Sequence, residues 1–230
     1  MKTIGIIGAM PSELKDIRAA QKEHTQTELA GFTFCESRLG ANTIVSVCCG
    51  IGKVNAACCT QLLIDRFGAD AIINTGIAGG MKHDIRVLEI VISTSVLPHD
   101  LDAHFLNDYP PFCSEFPADA ELQQLAAEVC EEMDIVYHMG RIVSGDAFVT
   151  DSAVKAALIA AHDPYAVDME TAAVGQCAWR SGVPFVSVRC ISDLADDDGA
   201  MSFEMFEERA AKRVADIVLK VASAVESPRC

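Results

Sequence analysis

Three acids placed at the ends of apolar stretches are the residues of this chain best suited to chemistry: Glu13, Glu170 and Asp193. Glu13 follows the run Thr3-Ile4-Gly5-Ile6-Ile7-Gly8, Glu170 sits in Ala166-Val-Asp-Met-Glu-Thr-Ala-Ala173, and Asp193 closes the run from Phe185 to Ile191. None of the three has a lysine or arginine directly beside it. Carboxyl groups set across a bond cleave glycosides, one donating a proton to the leaving group and the other activating water. Three carboxylates could instead hold a divalent cation, but Asp196-Asp197-Asp198 would be the stronger candidate and reads as a solvated loop. His99 and His104 are accompanied by no cysteine pair and no His-Glu-x-x-His pattern, so neither a metal nor another cofactor is expected. Taken alone, Glu170 also fits a helix-start acid stabilised by the helix dipole.

Each acid needs an element to aim it. Residues 3–8 read as a buried strand, with Pro11 opening a helix that carries Glu13, Leu14 and Ile17. Residues 27–36 and 43–49 are β-rich on either side of the turn Leu39-Gly40-Ala41-Asn42. Gly50-Ile51-Gly52-Lys53 leads into a helix from Val54 to Phe67, and a strand from Ala71 to Thr75 runs into the glycine-rich turn Gly76-Ile77-Ala78-Gly79-Gly80. Glycines there let backbone approach a ligand, though an ordinary flexible loop reads the same way. A strand from Leu88 to Ser95 precedes the stretch from Ala103 to Ala118, which shows no sustained period and is broken by prolines. A loop of that length in a compact domain tends to be a lid or a partner contact. Helix Ala120–Met133, strand Val136–Val143, a helix from Ser152 to Ala161, the strand end Val167–Met169, helix Thr171–Trp179, strand Phe185–Ile191 and helix Ser202–Ala224 complete the chain. Strands alternating with helices, without repeat or linker, predict an α/β layered sheet in one domain spanning 1–230.

Composition narrows the partners. A net charge of −15 argues against nucleic acid and anionic membrane. No apolar run is long enough to span a bilayer and no signal-peptide pattern opens the chain, so a cytoplasmic protein is expected. Ten cysteines lie mostly within apolar segments, with no Cys-x-x-Cys spacing, and read as small core residues. Gly5 and Gly8 make neither a dinucleotide fingerprint nor a phosphate loop.

Seven segments in order carry a resemblance: Ile6-Ile7-Gly8-Ala9-Met10-x-x-Glu13, Gly50-Ile51-Gly52-Lys53, Asn74-Thr75-Gly76-x-Ala78-Gly79-Gly80, His99-Asp100-x-Asp102, Val143-Ser144-Gly145-Asp146-Ala147-Phe148, Val167-x-Met169-Glu170 and Ile191-Ser192-Asp193-x-Ala195-Asp196. Together they resemble the 5'-methylthioadenosine/S-adenosylhomocysteine nucleosidases of the purine nucleoside phosphorylase superfamily. The resemblance implies a three-layer α/β/α domain around a mixed sheet, a homodimer, and hydrolysis of the N-glycosidic bond of a 5'-substituted adenosine, with no cofactor. It assigns Asp193 to protonating the leaving adenine, Glu13 to activating water, and Glu170, beside Met169, to holding the ribose hydroxyls. It places Phe148 on the purine face and the Val149 backbone at the purine edge. Gly79 and Ser192 line the site, and Met10, Ile51 and Phe203 form the apolar pocket for the 5'-alkylthio group. Arg189 is either a water-orienting residue or a strand arginine paired with an acid. Ile77 stands where relatives often have serine, and residues 103–116 depart from the usual partner-loop pattern. A nucleoside phosphorylase or an aminodeoxyfutalosine nucleosidase on the same fold, and an inactive nucleoside-binding protein, are the rival readings. A phosphorylase would need arginines for phosphate where this chain has Pro11-Ser12-Glu13.

Overall fold

The computed structural model describes residues 1–225, so the last five residues of the expected 1–230 domain lie outside the described part. Strand β1 (Thr3–Gly8) alternates its side chains between two cores: Ile4 and Ile6 face one side and Ile7 the other, as a strand's period of two requires. On the first side lie α1 (Pro11–Ala20), α4 (Ala120–Glu132) and the long α7 (Gly199–Ala224). On the second lie α2 (Lys53–Phe67) and α6 (Thr171–Arg180). Both sheet faces are covered, which gives the expected three layers.

The sheet is mixed. β1 runs parallel to β4 (Asn42–Cys48) and to β5 (Ala71–Gly80), while β2 (His24–Leu29) and β3 (Phe32–Leu39) extend the β4 side as antiparallel strands. The predicted turn at residues 39–42 joins β3 to β4, but the β-rich stretch 27–36 is two strands, split by Ala30 and Gly31 at positive φ. On the other side β5 pairs with both β9 (Ala166–Asp168) and β10 (Phe185–Asp193). These connect through β8 (Tyr137–Ser144) and β6 (Ile90–Pro98), so the five strands β5, β9, β8, β6 and β10 close into a ring.

Ring closure explains the largest difference from the sequence reading. The glycine-rich segment 76–80 is not a turn: β5 continues through Gly80, every residue of it buried, because β9 and β10 supply its hydrogen-bond partners. The stretch 103–118 is also more ordered than its lack of periodicity suggested. It holds α3 (Ala103–Asp108), whose first turn is capped by Asp102 accepting from the His104 N–H, and the two-residue β7 (Phe116–Pro117) on β6. A six-residue helix is too short to show a period. Helix α5 (Ser152–His162) is capped by Asp151, whose carboxylate accepts from the N–H groups of Ala153 and Val154. Among the described residues no helix is long and apolar enough to cross a membrane.

Helix α6 lies tight on the ring. A Cβ on Gly175 would come within 2.4 Å of Val96 Cγ2 and 2.7 Å of Phe185 Cζ. Gly175→Ala should therefore push α6 off the sheet and cost about 1–3 kcal/mol, read as a lowered Tm in thermal denaturation.

Candidate active site

Glu13 reaches the site because of where α1 starts. With Pro11 in the first turn, the Glu13 carboxylate folds back over the helix N-terminus and accepts from the N–H groups of Ala9 (2.6 Å) and Met10 (3.0 Å). Its other oxygen accepts from the Ile77 N–H at 2.9 Å. Ile77, the departure noted in the sequence, thus anchors the acid through its backbone. Three donors occupy three of a carboxylate's roughly four acceptor positions, and one remains for a water. Glu13 is 1% exposed, and burial pushes its pKa up against the pull of Arg189 and the three N–H groups.

At the start of α6 two acids divide the work. Asp168, the last residue of β9, accepts from the N–H groups of Glu170 (3.3 Å) and Thr171 (3.2 Å), and so does the capping. Glu170 occupies the N-cap position without capping, which frees its carboxylate to accept from the Gly52 N–H at 2.9 Å, at the start of α2. The expected helix-start role is filled by Asp168, a residue the sequence reading passed over.

Beneath these acids lies Arg189, 1% exposed, in the middle of β10. Its guanidinium is 2.8 Å from Asp168 Oδ2, 3.7 Å from Glu170 Oε2 and 3.8 Å from Glu13 Oε1. It also donates to Asn74 Oδ1, Thr171 Oγ1 and the Thr75 carbonyl. Of the two readings of Arg189, the geometry gives the strand arginine paired with acids: it lies behind the cavity wall and is not part of the lining. Room for it comes from Gly76, its register partner on β5, where a Cβ would stand 2.2 Å from Arg189 Nη1 and 2.3 Å from Glu13 Oε1.

One cation faces three carboxylates here. Burial, then the neighbouring Asp168, pushes the Glu170 pKa up to about 7, while Arg189 and the Gly52 N–H oppose the rise and Glu13 adds to it. On the far side, Asp193 ends β10 after an irregularity in its pairing with β5. Its carboxyl accepts from Ser192 Oγ (2.8 Å) and the Ala195 N–H (2.8 Å), and burial again raises its pKa against the pull of these two donors. Gly79 opposes it: a Cβ there would meet Asp193 Oδ1 at 3.0 Å and Ala195 Cβ at 2.9 Å.

These groups converge on a cavity of about 390 Å³. Its wall includes the expected Met10, Glu13, Ile51, Gly79, Phe148, Met169, Glu170, Ser192, Asp193 and Phe203. Val149 is buried away from it, packed among Met81, Val143 and Leu158. Its carbonyl oxygen nevertheless shares a corner with Asp193: a Cβ on Gly199 would lie 4.0 Å from the first and 3.5 Å from Asp193 Oδ1. Phe148, half exposed at the mouth, meets Phe203 edge to face with ring centroids 5.5 Å apart. The lining carries four carboxyl groups, with Asp168 as the fourth, and no lysine, arginine or histidine. No group of three or more histidine, cysteine or acidic side chains among the described residues is arranged to hold a metal ion.

Fold and site define the class. A family model described as "Phosphorylase superfamily" matches residues 3–223. Within that superfamily, the chain belongs to the 5'-methylthioadenosine/S-adenosylhomocysteine nucleosidase family. The protein of that name from Exiguobacterium sp. is 41% identical over 229 residues, covering 97% of this chain and 98% of the relative. The Neisseria meningitidis nucleosidase, solved in complex with methylthio-immucillin-A, superposes with a TM-score of 0.94 at 33% identity, over 98% of this chain and 100% of that one. Futalosine hydrolase of Helicobacter pylori has a TM-score of 0.92 at 29% identity, over 97% and 98% of the two chains.

The raised Glu170 pKa carries a stability prediction. The folded state holds this proton more tightly than the unfolded chain, whose Glu titrates near 4.5. The associated stability is therefore complete at low pH and lost as pH rises through about 7. Glu170→Gln should be more stable than the parent at pH 8, by about 3 kcal/mol, with the gap closing toward pH 5. Thermal denaturation of both proteins across that range checks it.

Proposed function

We propose that the chain hydrolyses the N-glycosidic bond of 5'-methylthioadenosine and S-adenosylhomocysteine, releasing adenine and the 5-substituted ribose. The observation that carries the hydrolytic reading is the charge of the cavity: four carboxyl groups line it, and Arg189, the cation beneath, is already engaged by three of them. A phosphate nucleophile would enter against like charge in a partly dehydrated cleft, whereas water meets no such opposition.

In this reading a purine rests against Phe148 and the ribose lies over Met169, with the 5' substituent among Met10, Ile51 and Phe203. Glu170 accepts hydrogen bonds from the ribose hydroxyls and offsets the positive charge that grows on the sugar as the bond breaks. Asp193 donates its proton to the departing adenine. Adenine leaves poorly as an anion, and burial raises the pKa of this carboxyl, the direction that suits a proton donor. Glu13 takes a proton from the water held at its remaining acceptor position. Its three backbone donors fix the carboxylate in place, so little reorganisation accompanies the step.

The reading takes residues 1–230 as one catalytic domain in the cytoplasm, acting as a homodimer. Leu101, Phe105, Tyr109 and Phe112, all exposed on and around α3, support an apolar contact there. The fold likeness to futalosine hydrolase makes aminodeoxyfutalosine the second substrate to try.

In phosphate-free buffer the protein should release adenine with free 5-substituted ribose as the second product. Strict dependence on added phosphate, with ribose 1-phosphate accumulating, would make it a phosphorylase. Asp193→Asn should keep substrate binding and lose about 10²- to 10⁴-fold in kcat, measured by adenine release. The rate should also fall on the acid side as Glu170, with a pKa pushed up to about 7, takes up a proton. A kcat/KM profile from pH 5 to 9 reads that limb.

A further inference from the structure

We infer that Asp146 is a positioning residue for the proposed nucleosidase reaction, holding the loop Gly50-Ile51-Gly52-Lys53 so that the Gly52 N–H stays aimed at Glu170. The inference rests on that functional reading and adds to it a residue outside the cavity wall.

The loop needs an external hold. Gly50 and Gly52 adopt φ of +82° and +98°, a region favourable to glycine alone, and glycine keeps much conformational freedom. From α2 the loop is tied by Asn55, whose amide donates to the Ile51 carbonyl at 2.8 Å. From the opposite side Asp146 does three things. Its Oδ1 accepts from the Lys53 N–H at 2.9 Å and lies against Gly52, 3.3 Å from where a Cβ would stand. Its Oδ2 is 3.1 Å from Lys53 Nζ, and its own N–H donates to Asp100 at 2.9 Å. Asp100 also pairs with Lys53 Nζ, so the ends of β6 and β8 and the start of α2 meet at one cluster. Asp146 additionally lies two residues before Phe148, so the same clamp sets the aromatic wall and the ribose acceptor in one frame.

The bond that this clamp protects is the one between the Gly52 N–H and Glu170. The other charged or titratable groups facing Glu170 are Asp168 on β9, Arg189 on β10, Glu13 on α1 and Cys49 before the loop, and the variants below change none of them. Freeing the loop removes a donor from the carboxylate and raises its pKa. Removing the negative charge of Asp146, by itself, acts in the opposite direction. Position and charge therefore have opposite signs in the pH profile.

Steady-state kinetics with 5'-methylthioadenosine from pH 5 to 9 separate them. Asp146→Ala should raise KM about tenfold, the worth of one charge-assisted hydrogen bond, lower kcat less, and move the acid limb of kcat/KM to higher pH. Asp146→Asn keeps the oxygen that accepts from the Lys53 N–H and should stay within about threefold of the parent, with its acid limb unmoved or slightly lower. An alanine variant with the parental KM and acid limb would overturn the inference. So would an asparagine variant as impaired as alanine, and because it replaces a single atom at a half-exposed side chain it stays informative if the alanine variant does not fold. A parent protein that releases no adenine from any nucleoside would instead overturn the functional reading itself.

Discussion

A single buried guanidinium governs this architecture. Arg189 has no solvent to relieve it, so its charge must be met by the protein, and Asp168, Glu170 and Glu13 meet it from three different elements. Its uncharged partners, Asn74, Thr171 and the Thr75 carbonyl, satisfy the remaining N–H groups. One positive charge against three negative ones leaves an excess of anion. Burial, and after it this excess of negative charge, raises the Glu170 pKa in a cleft lined by acids.

Glu13 and Asp193 stand differently toward this cluster. Glu13 sits among three backbone N–H groups and near Arg189, interactions that favour its ionised form and offset part of the cost of burial. Asp193 lies at the other side of the site, away from Arg189, with only Ser192 and the Ala195 N–H as direct partners. Two carboxyl groups with similar intrinsic acidity are thus placed in different electrostatic environments, as the proposed division into base and acid requires.

Much of this was legible in the residues themselves. The apolar runs ending at Gly8, Met169 and Ile191 marked strands, and the acids just beyond them marked the site, because a strand that is buried along its length can expose polar groups only at its end. What escaped was set by tertiary pairing. Residues 76–80 looked like a turn because nothing local announces that two further strands will pair with them. Asp168 was passed over because it sits inside a short apolar strand. A lone acid in such a strand and a lone arginine in the run 185–191 were nevertheless a signal, since two buried opposite charges demand each other. The hold on the Gly50–Lys53 loop depends on Asp146, remote in sequence, and no spacing rule joins the two.

The closed ring of strands also sets the order in which the protein can become itself. β5 is made early and β10 late, yet they are neighbours, so the ring shuts only after nearly the whole chain has been synthesised. Until then Glu13, Asp168 and Glu170 have no Arg189 to pair with. Nascent chains lacking the last strand therefore have neither Asp193 nor the counter-charge of Arg189, and topology of this kind, dominated by distant pairings, folds slowly. The cavity is completed by its final strand, since a chain ending before Phe185 lacks Arg189, Ser192 and Asp193.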